Sequence, residues 1–280
     1  MQLYVFVDEA GVPPCHDDDD VFVAGAYATI ASNAPVLAQR PSAMPQIQWV
    51  LSQLCALNAV PSIALIRSRD GFMAKWGEKA MLMRGMAEAR RRELGHEFMP
   101  AVGIKPRNWL WSYCVNTAVA RAIVGAIGDP PCDFTSINLC IDRYSLRREQ
   151  KSQIAAIYQN AGRRIASLVM QAAQTARAGR TEWLQWLERA APQTADVNLM
   201  WFEEGQRSVT PMSLAHRLAS GSFAEQRRGA TLGRPLANAL IAAGYRDVVF
   251  DMTHIAENPL NESAMLRWAE DLGAIVGEHN

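Results

Sequence analysis

Three short apolar runs in this sequence end in carboxylates. Leu3–Val7 runs into Asp8 and Glu9, Ile137–Ile141 into Asp142, and Val197–Phe202 into Glu203 and Glu204. A fourth run, Asp247–Met252, carries Asp251 near its end. Acids at strand ends leave the core on rigid backbone, which is where α/β sheets collect their sites. Two ionised carboxylates about 4 Å apart repel by roughly 4 kcal/mol at an effective dielectric of 20, so a shared proton, an arginine or a divalent cation must offset the charge. Sites built from carboxylates alone suit Mg²⁺ or Mn²⁺ rather than zinc. Such ions act on phosphodiesters by clamping the attacking and leaving oxygens. Plainer readings stand beside this one. Asp-Glu-Ala-Gly is also good turn chemistry, and Asp142 with Arg143 also makes a local ion pair.

Basic residues gather directly after Asp142. Between positions 143 and 180 stand Arg143, Arg147, Arg148, Lys151, Arg163, Arg164, Arg177 and Arg180, against a single acid, Glu149. The first four suit a nucleic-acid backbone, in a salt-dependent and sequence-independent mode. Tyr144 is placed to stack on a base or to fill core. A solvated outer helix face is the better account of Arg163 and Arg164. The first 20 residues are the mirror image, with Asp8, Glu9 and the run Asp17–Asp20 and no Lys or Arg. The run of four aspartates reads more simply as a solvated loop than as a metal site.

The elements that must position these residues follow from periodicity. Leu3–Val7 and Val21–Ile30 predict strands, the first buried on both faces, and Ser62–Ile66, Ile137–Ile141, Val197–Phe202 and Asp247–Met252 predict four more. Helical spacing predicts helices over Pro45–Ala59, Ala74–Leu94, Asn108–Ile127, Arg147–Ala178, Thr181–Ala191, Pro211–Ser220, Leu236–Ala243 and Glu262–Leu272, with a loop from Ser222 to Gly233. Alternation puts Asp8 on the strand face of Tyr4 and Phe6, and Asp142 on that of Asn138 and Cys140. If those two strands are neighbours, both carboxylates approach one point. No repeat or linker divides the chain, so the expectation is one α/β domain over residues 1–280 with helical insertions at about 74–130 and 147–191.

Composition sets the bounds. The 280 residues are 49% hydrophobic and 20% charged with a formal net charge of zero, so bulk charge draws the protein to neither nucleic acid nor anionic membrane. The five cysteines are widely spaced and form no CxxC pair, and Cys55, Cys114 and Cys140 read as reduced core residues of a cytoplasmic protein. The longest apolar stretch, Val115–Ile127, is broken by Asn116 and Arg121 and is too short to span a bilayer. The sequence predicts no membrane partner and leaves the oligomeric state open.

Val5-Phe-Val-Asp-Glu-Ala-Gly11, followed by the glycine-containing run Val21-Phe-Val-Ala-Gly-Ala26, resembles the opening of a large prokaryotic domain-of-unknown-function family. That family carries an N-terminal strand–Asp-Glu-Ser-Gly motif and is regarded as RNase-H-like; Ala10 replaces its Ser. The run ending at Asp142 looks like its middle strand. Val197–Gly221 looks like its closing block, with Glu204 as the acid and His216 where an Asp is expected. The resemblance implies an RNase-H-like mixed sheet flanked by helices, with additional helices inserted. It also implies a metal-dependent phosphodiesterase acting on DNA or RNA. Asp8, Glu9, Asp142 and Glu204 would be its catalytic acids, and His216 or Asp251 would complete the metal set of Asp8, Asp142 and Glu204. Arg143, Arg147, Arg148 and Lys151 would bind nucleic acid. His216 suits Mg²⁺ poorly and points either to Mn²⁺ or to a degenerate module that binds nucleic acid or a protein without cleaving. Phosphatase chemistry of the haloacid-dehalogenase type needs a second Asp two residues after the first. Ala10 stands there after Asp8, and Thr253 after Asp251.

Overall fold

The computed structural model describes residues 1–11, 21–67, 72–93, 106–128, 132–142, 181, 185, 196–202, 210–227 and 235–253. They form a mixed α/β fold. In chain order the elements are β1 (Gln2–Ala10), β2 (Val21–Ala31), α1 (Gln46–Ala56), β3 (Val60–Arg67), α2 (Phe72–Glu93), α3 (Pro106–Ile127), β4 (Ser136–Asp142), β5 (Asp196–Phe202), α4 (Pro211–Arg227), α5 (Pro235–Ala242) and β6 (Val249–Asp251). The strands make a six-stranded sheet in the order β5-β4-β1-β2-β3-β6. β2 runs antiparallel to β1 and β3, while β4, β5 and β6 join by parallel pairing. β1 is therefore interior, and the C-terminal ends of β1, β3, β4, β5 and β6 share one edge of the sheet.

Each face is covered by helices because each face is apolar. On one face Tyr4, Phe6, Val23, Tyr27, Ile63 and Leu65 pack with residues of α1, α4 and α5. The stacked rings of Phe6 and Tyr27, register partners with centroids 5.0 Å apart, form the centre of that layer. The other face presents the small side chains of Ala24, Ala26 and Ala28 to α3, which answers with Ala118, Ala122 and Gly125. A Cβ on Gly125 would lie 2.5 Å from a methyl of Val60, so small residues set the close approach of α3 to β3.

A polar ladder at the start of the strands fixes the register that matters for function. The Tyr4 hydroxyl and the Asn138 amide both donate to Oε1 of Gln2, at 2.8 and 2.9 Å, and the Asn198 amide donates to Oδ1 of Asn138 at 3.2 Å. Asn138 is buried, so leaving these groups unpaired would cost more than the bonds return. A one-residue slip of β4 or β5 would break the ladder.

Several expectations change. β1 does not turn after Val7; Asp8, Glu9 and Ala10 stay in the strand, paired with Gly25, Ala24 and Val23, and the bend begins at Gly11 with φ of 87°. α4 runs on to Arg227, through residues expected to start a loop. Cys55 is exposed rather than core, because α1 buries Trp49, Val50, Gln53 and Leu54 and turns Cys55 outward. Cys114 and Cys140 are buried thiols, as expected. The helices expected over 147–178 and 262–272 lie outside the described residues, as does nearly all of that expected over 181–191. Among the described residues, no helix is long and apolar enough to cross a membrane.

Candidate functional site

The site grows from the end of β1. Asp8 follows five buried residues of a strand that is paired on both sides, and it is itself only 5% exposed. Burying a carboxylate is costly unless its oxygens have partners. Oδ1 of Asp8 accepts the backbone N–H of Glu9 at 2.8 Å. Oδ2 lies 2.8 Å from Nδ1 of His216, on α4. An ionised carboxylate only accepts, so opposite it Nδ1 carries the hydrogen. The imidazole is 55% exposed, so the pair runs from the sheet interior to the surface.

What brings His216 to Asp8 is the residue opposite Asp8. Gly25 is its register partner on β2. A Cβ there would lie 2.4 Å from the backbone nitrogen of Ala219 and 2.8 Å from the carbonyl carbon of Leu218. The backbone of α4 thus rests on the bare Cα of Gly25, and His216 comes one turn earlier along the helix. A second anchor holds the start of α4: the buried hydroxyl of Tyr27 donates to the Pro211 carbonyl at 2.9 Å. Burial is the main cause that pushes the Tyr27 phenol far above its ordinary range, so it stays a neutral donor.

Asp142 reaches the same place by register. Val7 pairs with Ile141 across β1 and β4, and the next residues along are Asp8 and Asp142. Their strands run parallel at the usual separation of about 5 Å. The condition on which the two-carboxylate reading depends, that these strands be neighbours, is met in the backbone. Glu9 follows Asp8 within the strand and pairs with Ala24.

The structure sets Asp251 elsewhere. β6 lies beyond β2 and β3, three strand spacings or about 14 Å from β1. There Oδ1 of Asp251 accepts both the hydroxyl and the backbone N–H of Thr253, at 2.6 and 3.0 Å, and Oδ2 lies 3.8 Å from Nε of Arg67. The Thr253 hydroxyl in turn accepts the Arg67 backbone N–H at 2.9 Å. Asp251 therefore fastens β6 to the end of β3 and does not complete a set with Asp8. Glu204, Arg143, Arg147, Arg148 and Lys151 lie outside the described residues, as do the aspartate run 17–20 and Tyr144.

Sequence reading missed the parts of Gly25 and Tyr27. A glycine inside an apolar strand is a signal for close backbone approach; nothing in the sequence pairs Tyr27 with Pro211. Among the described residues, no group of three or more His, Cys, Asp and Glu side chains stands ready to hold a metal. The donors that do meet are the Asp8 carboxylate and the His216 imidazole. Both are ordinary ligands of divalent first-row metals, so the pair fits such an ion as a partial set. No family model matches the chain, and no curated protein and no solved structure is significantly similar to it.

Proposed function

We propose that this protein is a metal-dependent phosphodiesterase of the RNase-H-like type, acting on DNA or RNA from the edge of the sheet where β1 and β4 end. The observation that carries the reading is the buried carboxylate of Asp8, on an interior strand, with His216 against it and Asp142 at the adjacent register position. The strand order and the single antiparallel strand suit an RNase-H-like sheet with β6 added at one edge, without being specific to it, and this supports the reading. Asp8, Asp142 and His216 would hold the cation, with Glu204 as a further acid. A bound divalent cation supplies Lewis-acid charge to a phosphodiester oxygen. Glu9 donates its N–H to Asp8 and holds that carboxylate in one orientation. The basic series Arg143, Arg147, Arg148 and Lys151 begins one residue after β4 ends, and such residues would neutralise the substrate backbone near the acids.

The test is cleavage of labelled single- and double-stranded DNA and RNA by the full chain, with Mg²⁺, Mn²⁺ or chelator, for the native sequence and Asp8→Asn. Asp8→Asn retains shape while removing the charge and exchanging one acceptor oxygen for a donor, which a neutral imidazole can meet by presenting Nδ1 as acceptor. Metal-dependent cleavage that vanishes in this variant is the expected result. Equal cleavage by both proteins, or none by either on any substrate, overturns the assignment.

One observation favours a second reading. Oδ2 of Asp8 is engaged by the His216 imidazole. A sheet whose central acid is satisfied internally also suits a non-cleaving module that binds nucleic acid or a protein partner. That reading predicts nucleic-acid binding in chelator, unchanged in Asp8→Asn, and no Asp8-dependent cation binding by calorimetry.

A further inference from the structure

We infer that His216 is a metal-selecting ligand that turns the site from Mg²⁺ toward a nitrogen-accepting ion such as Mn²⁺; this rests on the metal-site reading above and specifies its ion. The geometry is that of a shared coordination edge. In an octahedral site with bonds of about 2.1 Å, neighbouring ligand atoms lie about 3.0 Å apart. Oδ2 of Asp8 and Nδ1 of His216 lie 2.8 Å apart. A cation bonded to both atoms would lie off the line that joins them, so it replaces the hydrogen once the half-exposed imidazole turns to aim Nδ1 at it, with the remaining ring hydrogen on Nε2. Mg²⁺ prefers oxygen and keeps its water; Mn²⁺ also favours oxygen but, as a first-row transition ion, accepts an imidazole nitrogen more readily than Mg²⁺ does, and the later ions of the row more readily still. The edge is held from both sides. Asp8 is fixed by the Glu9 N–H, and the helix bearing His216 is seated on Gly25 and tied through Pro211 to Tyr27. Movement of His216 away from Asp8 would require α4 to lift off the sheet or the imidazole to swing out.

Calorimetric titration of the full chain with Mn²⁺ and with Mg²⁺ tests the inference, using the native sequence, His216→Ala, His216→Asp and Asp8→Asn. Loss of the imidazole in His216→Ala should weaken Mn²⁺ binding at least about tenfold and leave Mg²⁺ binding nearly unchanged. His216→Asp should strengthen Mg²⁺ and shrink the Mn²⁺-over-Mg²⁺ preference by a similar factor. His216 is exposed, so neither substitution opens a core cavity. Electron spin-echo modulation on the Mn²⁺-loaded protein gives a direct readout: a bound imidazole nitrogen in the native protein, absent from His216→Ala. An equal Mn²⁺-over-Mg²⁺ preference in the native protein and both His216 variants, with binding still lost in Asp8→Asn, overturns the inference and leaves the metal site standing. Absence of Asp8-dependent binding of either ion overturns both.

Discussion

Gly25 lies directly beneath Ala219, so close that a Cβ on the glycine would lie 2.4 Å from the backbone nitrogen of the alanine. The atoms it would meet are backbone, which cannot rotate aside as a side chain can. Gly25 is also the register partner of Asp8, so the spacing between α4 and β2 and the approach of His216 to Asp8 are one constraint.

Gly25→Ala therefore strikes stability and the site together. Forcing one methyl into a tight helix–sheet contact costs typically about 1–3 kcal/mol. Urea unfolding should show a lower midpoint with an unchanged slope, the mark of altered stability rather than altered compactness. The displacement of α4 should also weaken Mn²⁺ binding. A variant as stable as the native protein would show that α4 does not rest on Gly25.

Asp251 is expected to matter for stability and not for the candidate site. Its Oδ1 takes two hydrogen bonds from Thr253, and Thr253 takes one from Arg67, so the three residues join the last strand to β3. The ion pair with Arg67 is long and half-exposed and contributes little. Removing the hydroxyl in Thr253→Val leaves the Arg67 N–H without its acceptor and should lower stability by about 1–2 kcal/mol. Asp251→Ala should do much the same by denaturant unfolding. In calorimetry both variants should bind Mn²⁺ as the native protein does. A loss of cation binding in Asp251→Ala at unchanged stability would place this acid back in the metal set.

The sequence made the strands and their acids legible and left the junctions obscure, for identifiable reasons. Leu3–Val7 is rich in valine and aromatic residues and apolar on both faces, so it reads as a buried strand, and it is one. Its end was harder, because Asp-Glu-Ala-Gly is polar turn composition, yet β2 offers backbone partners as far as Ala10. The end of α4 was hidden in the same way. Gly221 and Ser222 look like a loop, but a Cβ on Gly221 would lie 3.0 Å from Leu236, and Ser222 is buried. Tertiary packing, not local preference, carries the helix through to Arg227. Asp251 resembles the other strand-end acids in sequence, and only the strand order shows it three spacings away. His216 was marked only by the resemblance, as the residue where an Asp is expected, and its partner 208 residues away is known only from the fold.

Alkaline pH should destabilise the protein, and the buried thiols give the sign. Burial pushes the Cys140 thiol up to about 12, and it pushes that of Cys114, on the buried side of α3, higher still. In the unfolded chain both thiols ionise near their ordinary value of about 8.5. Below that value folded and unfolded chains hold the same thiol protons, and stability is flat with respect to these groups. Above it the unfolded chain releases protons that the folded chain keeps, so stability falls as pH rises, up to the folded value for each thiol. Each group contributes at most about 1.4 kcal/mol per pH unit. Tyr27, raised chiefly by its own burial, adds to the fall only above 10.0, its ordinary value. Urea unfolding at intervals from pH 7 to 10.5 should therefore show a plateau and then a decline that begins near pH 8.5. Cys140→Ala should be less stable throughout, because it empties core volume, but its decline should be shallower by about one proton, or about 1.4 kcal/mol per pH unit. The change in slope separates thiol ionisation from lost packing, since a cavity lowers the whole curve without tilting it. An identical slope in Cys140→Ala would show that Cys140 ionises alike in the folded and unfolded chains.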